Sequence, residues 1–538
     1  MTSPANNADQ PSIGTTRLSV HMEINALSSG VQWGQSASSP LVLTYSFPWS
    51  AGTPAFAGDY SDIQENKQGL GLNSLQQAAV RKALGAWAAV ANVQFVEVKD
   101  SSDSVGVLRF AATETDFFQG SASAWGYLPS DSWASGGDVW LSSVDTTEAA
   151  SASYWQPGGE GYLLLVHEIG HALGLKHGFS GSNVLPDSLD SRQHTIMSYT
   201  LHPNGLYGSY ANTAKGYEYK YYDIAPETPM PLDIATVQHL YGANNNYHKG
   251  DDVYTFDPVG PTLSTIWDGG GTDTLNLANF TRPVLLDLEP GAYSSLPGGA
   301  EASQWRLDVA LTYGKDNLAI AYGSTIENAV GGSANDDLRG NSVNNLLQGG
   351  AGDDRIDGRA GVDTAAYSGT RASYELQIRD ASHASINHMQ PGGDGRDTLL
   401  NVERLQFSDT RVALDVSGNA GFVAKLIGAV YGAEHVKNPY LVGVGLGYVD
   451  GGTSFDQLTQ LALSDRLGTN YSAKSVISLL YQNLVGQTIP NADMQHWLGV
   501  INSGEYSPLS LARLVFDMPE NALNIDLVGL QHNGLAYM

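Results

Sequence analysis

The sequence predicts three successive architectures. The first is an α+β domain with a twisted mixed sheet and long helices, the second a parallel β-roll or β-sandwich, the third an all-α domain. Three observations carry this. Residues 162–177 form an apolar helical pattern that includes three histidines. Residues 331–366 fall into nine-residue units in unbroken register. From about 418 onward apolar residues recur at helical spacing, separated by Gly, Asn and Pro. The expected divisions are 1–20 as a flexible segment, 21–245 as the first domain, 246–415 as the repeat domain and 416–538 as the helical domain.

Taken in order, residues 1–17 are small and polar, a composition that leaves a terminus mobile. Residues 41–47 read as a strand, and 94–98 and 107–112 as shorter ones. Between them, 74–91 is an amphipathic helix begun by Asn73 or Ser74, with Val80, Leu84, Trp87 and Ala91 on one face. Residues 136–141 read as a further strand. Residues 200–222 are rich in Gly, Tyr and Asn and suit the wall of a pocket, and Pro229–Ala235 opens a short helix that runs to Gly242.

The central stretch is His167-Glu168-x-x-His171-x-x-Gly174-x-x-His177. Residues four apart share a helix face, so His167 and His171 point two imidazoles at one spot, with Glu168 beside it. The helix must then end for a third ligand to return. Gly174 supplies a left-handed turn, and His177 comes back to the same point. Three neutral nitrogens with one open tetrahedral position are the ligand set of a catalytic zinc. A buried helix with stray histidines does not account for five fixed positions at this spacing.

Downstream, residues 194–199 read His-Thr-Ile-Met-Ser-Tyr. A methionine turn after such a helix completes the metzincin pattern, and the Met197 thioether would floor the imidazoles. With both stretches the chain resembles the serralysins, secreted bacterial zinc metalloproteases with calcium-binding repeats, over roughly 20–415. The resemblance implies a metzincin catalytic domain and Glu168 as catalytic base. It implies Tyr199 as a displaceable zinc ligand that turns to the oxyanion, and a short propeptide within 1–20. It also implies an edge strand just before the zinc helix that pairs with extended substrate, which assigns Gly137, Asp138, Val139 and Trp140 to substrate binding. Gly178 stands where serralysins usually carry proline.

From about 246 the texture changes. Asp268, Gly269, Gly271 and Asp273 open a Gly/Asp region. The units 331–339, 340–348, 349–357 and 358–366 follow the pattern G-G-x-G-x-D-x-U-x. The sixth position holds Asp336, Asn345, Asp354 and Asp363, and the eighth Leu338, Leu347, Ile356 and Ala365. Gly331, Gly340, Gly349, Gly350, Gly352 and Gly358 permit tight turns whose carbonyls join these side chains as oxygen ligands for Ca²⁺. Asn345, Ala334 and Val343 depart from the pattern, so fewer ions than in a full array are expected. Residues 394–415 return to strand-like alternation and close the region.

Helices are expected at 422–431, 455–462, 473–485, 493–503 and 507–517. The formal charge of −28 makes nucleic acid and anionic membranes poor partners. Cysteine is absent, which excludes disulfides and a thiolate zinc site. No apolar stretch is long enough to span a membrane. The first ten residues lack the basic start and apolar core of a Sec signal, which leaves a cytoplasmic protein or export by another signal; with calcium-dependent repeats, a C-terminal signal read by type I secretion machinery is expected. The expectation is a secreted, extracellular monomeric endopeptidase that uses Zn²⁺ and Ca²⁺ and acts on protein and peptide substrates. The alternative is a calcium-dependent adhesive surface protein with little or no proteolysis.

Overall fold

The computed structural model describes residues 11–34, 40–50, 52–101, 104–114, 123–143, 151–213, 216–298, 314–390 and 392–538; within 208–213 and 217–222 it describes the backbone alone. Residues 1–10 of the expected N-terminal segment lie outside these. The chain divides into two compact units, Met1–Thr274 with Leu288–Ile326, and Leu275–Asp287 with Glu327–Met538.

The first unit is built on a sheet of β1 (Leu41–Ser46), β2 (Val93–Glu97), β3 (Leu108–Thr113), β4 (Ala124–Gly126) and β5 (Val139–Ser142), in the order β2-β1-β3-β5-β4. The first four members run parallel and β4 antiparallel to β5. Helix α1 (Ser74–Val90) starts on an Asn73 capping box closed by Gln76. Its Val80, Leu84 and Trp87 are buried, as is Ala91 just past its end. Helix α2 (Glu160–Ala172) carries the histidine pair, and α3 (Pro231–Tyr241) follows a proline start. Both contribute to the same core as the sheet. The predicted strand at 136–141 begins later, because Gly137 has φ +82° and Asp138 closes a turn to Ser135. Residues 206–213 and 216–223 pair as an antiparallel hairpin where only a pocket wall was foreseen. Ile13–Thr15, expected to be mobile, pairs with Val31–Trp33.

In the second unit short parallel strands form two sheets. One contains β6 (Leu285–Asp287), β8 (Asp337–Arg339), β10 (Arg355–Asp357) and β14 (Arg396–Leu400); the other contains β7 (Asn328–Val330), β9 (Leu346–Gln348), β11 (Thr364–Ala366) and β15 (Arg404–Gln406). Successive repeat units alternate between the two. Each unit pairs with the next but one, as Leu338 with Ile356 and Leu347 with Ala365. Ala329, Leu338, Leu347, Ile356 and Ala365 are all fully buried, so the eighth position of each unit forms the core. An antiparallel pair, β12 (Tyr374–Asp380) and β13 (His383–His388), extends the first of these sheets past β14.

Helices α4 (Asn419–Val430), α5 (Pro439–Asp450), α6 (Phe455–Leu467), α7 (Ala473–Val485), α8 (Asn491–Asn502) and α9 (Pro508–Phe516) share an apolar core. Helix α5 was not foreseen, because Gly443, Gly445 and Gly447 interrupt its pattern and disfavour helix. Two of them admit close packing: a Cβ on Gly445 would lie 2.7 Å from Val423 Cγ1, and one on Gly443 would collide with the Met538 carbonyl. Arg404 of β15, almost fully buried, is paired with Asp415 and with Asp450 of α5. Leu535–Tyr537 adds a last strand against Arg411–Ala413.

Candidate metal centres

Helix α2 ends in a Schellman motif. Leu175 N–H donates to Gly170 O and Gly174 N–H to His171 O, both at 2.9 Å, with Gly174 at φ +100°. Trp33 Nε1 and Tyr241 OH donate to the last carbonyls, those of Ala172 and Leu173. This abrupt end brings His177 back to the helix. Its Nε2 lies 3.1 Å from Nε2 of both His167 and His171. Tetrahedral zinc with bonds near 2.0–2.1 Å needs nitrogens about 3.3 Å apart, so the three atoms fit one ion.

The outer nitrogens fix the tautomers. His167 Nδ1 lies 2.7 Å from the Ile196 carbonyl and His171 Nδ1 2.9 Å from that of Leu175. A carbonyl only accepts, so each Nδ1 carries the proton and each Nε2 keeps its lone pair. Burial pushes His171 down to about 4, His167 well below its usual range, and His177 in the same direction. All three are then neutral near pH 7, as metal ligands must be.

Three distant segments set this geometry. The buried carboxylate of Asp233 on α3 accepts from Thr195 Oγ1 (2.5 Å), Ile196 N (2.7 Å) and Met230 N (2.9 Å). It thereby holds the turn whose Ile196 carbonyl orients His167. Met197, fully buried, sits against α2 at Gly170, where a Cβ would lie 2.8 Å from its sulfur. Glu168 is buried and raised to about 8 by that burial, opposed by a hydrogen bond from Gly126 N–H of β4. Tyr199, mostly exposed, places its hydroxyl 3.0 Å from His177 Nε2.

The assignment of Gly137, Asp138, Val139 and Trp140 to a substrate-pairing edge needs correction. Strand β5 is interior, flanked by β3 and β4, and Asp138 and Trp140 are buried. Asp138 instead binds Tyr60 OH (2.5 Å) and Arg109 N (2.8 Å). Among the described residues the sheet edge beside β5 is β4, Ala124–Gly126. It touches Glu168 directly, and a Cβ on Gly126 would collide with the Glu168 carbonyl. Beyond it, a groove of about 590 Å³ runs along Trp125, Leu128 and Trp133.

In the repeats, each acidic side chain holds the backbone of an earlier unit. Asp336 Oδ1 accepts from Val284 N, Asp354 Oδ1 from Asp336 N, and Asp363 Oδ1 from Asn345 N. Gly331, Gly340, Gly349 and Gly358 each face the side-chain oxygen of their own unit's sixth residue, and a Cβ would fill that space. Gly350 and Gly352 have φ of +105° and +120°. The Oδ2 atoms of Asp354 and Asp363 are buried without a hydrogen-bond partner. Burial raises both carboxyls to about 7. Hard oxygen donors crowded in this way suit Ca²⁺.

Further oxygens belong to the same arrangement and were not foreseen. Asp397 Oδ1 accepts from Asp354 N and Glu403 Oε2 from Asp363 N, each at 2.9 Å. Asp397 lies in Gly392-Gly393-Asp394-Gly395-Arg396-Asp397-Thr398-Leu399-Leu400, a complete nine-residue unit. It is displaced from the array by 367–391, yet Leu399 pairs with Ile356 in register. A third group joins Asp252 to the predicted Asp268 and Asp273, with ligand oxygens all within 4.8 Å. The predicted Gly269 and Gly271 line its loop, against the carbonyls of Asn245 and Tyr247 and that of Gly250.

Comparison with known proteins matches both halves of this description. The family described as matrixin, of peptidase M10, covers residues 60–204, and the peptidase M10 serralysin C terminal covers 231–422. Serralysin of Proteus mirabilis is 32% identical over 293 residues, 48% of this chain and 54% of that protein. Over these stretches the chain is similar to the serralysins. Serralysin G of Dickeya chrysanthemi is 31% identical over 290 residues, and metallopeptidase AprA of Pseudomonas marginalis 31% over 281, each matched over 54% of its length. The chain thus spans about half the length of the curated relatives it matches. The serralysin C-terminal match ends at 422, so helices α5 to α9 lie outside it.

Proposed function

We propose that this chain is a secreted zinc endopeptidase whose repeat unit folds with calcium. The observation that carries the reading is the placement of Glu168. Its carboxylate is tied to the edge strand β4 through Gly126 N–H and stands beside the three-histidine cluster. A peptide added to β4 as a further strand would bring its backbone to that carboxylate. His167, His171 and His177 would hold the zinc, with the Tyr199 hydroxyl as a further ligand. Zinc supplies Lewis acidity, polarising a substrate carbonyl and acidifying a water.

Glu168 takes the proton of the attacking water and later delivers it to the leaving amine. Burial raises its carboxyl to about 8, which readies it for both steps. Tyr199, mostly exposed and hydrogen-bonded through its hydroxyl, turns to donate a hydrogen bond to the oxyanion as it forms. Met197 and Asp233 keep the turn beneath the histidines in place.

For the repeats, we read the two stacks of parallel strands as a calcium-binding β-roll. Asp336, Asn345, Asp354, Asp363, Asp397 and Glu403, with the turn carbonyls, are the ligands we assign. Asp252, Asp268 and Asp273 form a separate calcium group. Catalysis is assigned to 21–245, calcium binding to 246–415, and a C-terminal export function to 416–538. Among the described residues no helix is long and apolar enough to cross a membrane.

A casein zymogram with and without chelator tests the activity. Clearing that is lost with chelator and restored by zinc is the expected result. A protein that binds calcium yet clears no casein after zinc is restored would be the adhesive alternative. Export is tested by fusing 418–538 to a reporter in a strain with a type I transporter, where the fusion should reach the medium.

A further inference from the structure

Two of the three histidines owe their orientation to carbonyl oxygens, and His177 does not. Its hydrogen-bonding contacts all run through Nε2, to His167, His171 and Tyr199. Among the described residues no acceptor sits on its Nδ1. Its ring is covered instead by Phe179. The two rings are stacked with centroids 4.9 Å apart and planes 10° apart. Phe179 also lies 5.3 Å from the Tyr199 ring, tilted by 52°.

The local chain fixes this stack. His177 to Ser180 is a turn closed by Ser180 N–H donating to His177 O. Gly178 N–Cα–C runs under Leu185, whose Cδ1 would be 2.6 Å from a Cβ at that position, and Leu185 N–H donates to Gly178 O at 2.7 Å. The Lys176 ammonium donates to the carbonyls of Ser180 (2.7 Å) and Asn183 (2.9 Å) and so ties down the far side. Phe179 is 44% exposed, and the burial of apolar area does not account for its place. A stacked ring restricts rotation of the imidazole it covers.

We propose that Phe179 is a positioning residue, setting the plane of the His177 ring for metal binding and limiting the path along which Tyr199 turns. This rests on the zinc reading above. Outer contacts that orient a ligand are worth about tenfold or more in metal affinity.

The test compares the full chain with its Phe179→Ala, Phe179→Leu and Phe179→Tyr forms. Zinc affinity is measured by competition with a chromogenic chelator, and the visible spectrum is recorded with cobalt in place of zinc. Phe179→Ala should weaken zinc by about tenfold, alter the cobalt bands, and lower kcat more than it raises KM. Phe179→Tyr should restore all three and Phe179→Leu should not, since leucine covers the ring without an aromatic face. The metal-free melting temperature should be alike in all forms. Zinc affinity within twofold of the parent in Phe179→Ala, with unchanged cobalt bands, overturns the proposal. Equal rescue by leucine does so too, because simple packing then suffices. A parent chain that binds no zinc would instead overturn the zinc reading itself.

Discussion

The histidine cluster and the repeat turns both gather metal-ligating atoms, but they do so by opposite means. The three histidines are neutral; a segment far off in sequence sets the ring of His167, and the turn that ends the helix sets that of His171. Asp233 holds the Ile196 turn, whose carbonyl holds His167, and the Schellman turn delivers His177. None of the three ligating rings carries charge. In the repeats neighbouring turns orient the assigned side chains, and all of these but Asn345 are carboxyls pushed up by burial, Asp397 to about 8. Bringing such groups together in ionised form costs free energy that a cation offsets. On the proposed reading, the first site is an outcome of core folding, while calcium binding at the second is a condition for it.

Four changes would break or sharpen this contrast. The largest effect is expected from Glu168→Gln, which should cut hydrolysis by about a hundredfold or more while zinc content, read by atomic absorption, stays at the parent level. Near-parental casein digestion would remove Glu168 from its role.

Next is calcium removal. With EGTA the strands between 328 and 406 should lose protection in hydrogen exchange, whereas α1 and α2 keep theirs. Asp354→Asn and Asp397→Asn should each raise the calcium needed for ordering. If α2 and the repeats lose protection together, the two regions are not independent in the way described.

Tyr199→Phe should retain zinc and fold and lower kcat more than it raises KM, since the hydroxyl acts as charge develops. A change confined to KM would make Tyr199 a substrate contact.

The smallest effect concerns pH. Burial raises Asp233 to about 7, above its unfolded value near 4. Its contribution to stability is therefore complete below about pH 4 and is lost as pH rises through 7. The melting temperature of the metal-free protein in EDTA should fall over that range, and Asp233→Asn should flatten the fall. An equal slope in the variant would assign the dependence to other groups.

The histidine cluster was legible because all its fixed positions lie within eleven residues of one helix and its turn. The edge strand was not. Val139-Trp140-Leu141 has the stronger β-propensity, while the true edge, Ala124-Trp125-Gly126, is short and ends in glycine. Strand propensity reflects burial, and an interior strand is buried on both sides. The unit at 392–400 was not legible as a repeat because the unbroken nine-residue register ends at 366, although the Gly-Gly-Asp-Gly-Arg-Asp run states it openly. Asp252 was missed because its partners lie 16 and 21 residues downstream. Helices α4 and α7 follow their apolar spacing, whereas the glycines of α5 make sense only beside the chain they admit.

The segment between Ala366 and Gly392 has a practical consequence. After β11 the chain forms β12 and β13, which extend the first sheet at its edge, and β14 then enters between them and β10 with Leu399 opposite Ile356. That ladder fixes β12 and β13 by pairing and leaves the turn between them, at 381–382, as the part it does not specify. Lengthening that turn adds loop-closure entropy only logarithmically. This turn is therefore a natural splice point, where a foreign peptide or small domain could be carried on the repeat stack and released from order by chelation.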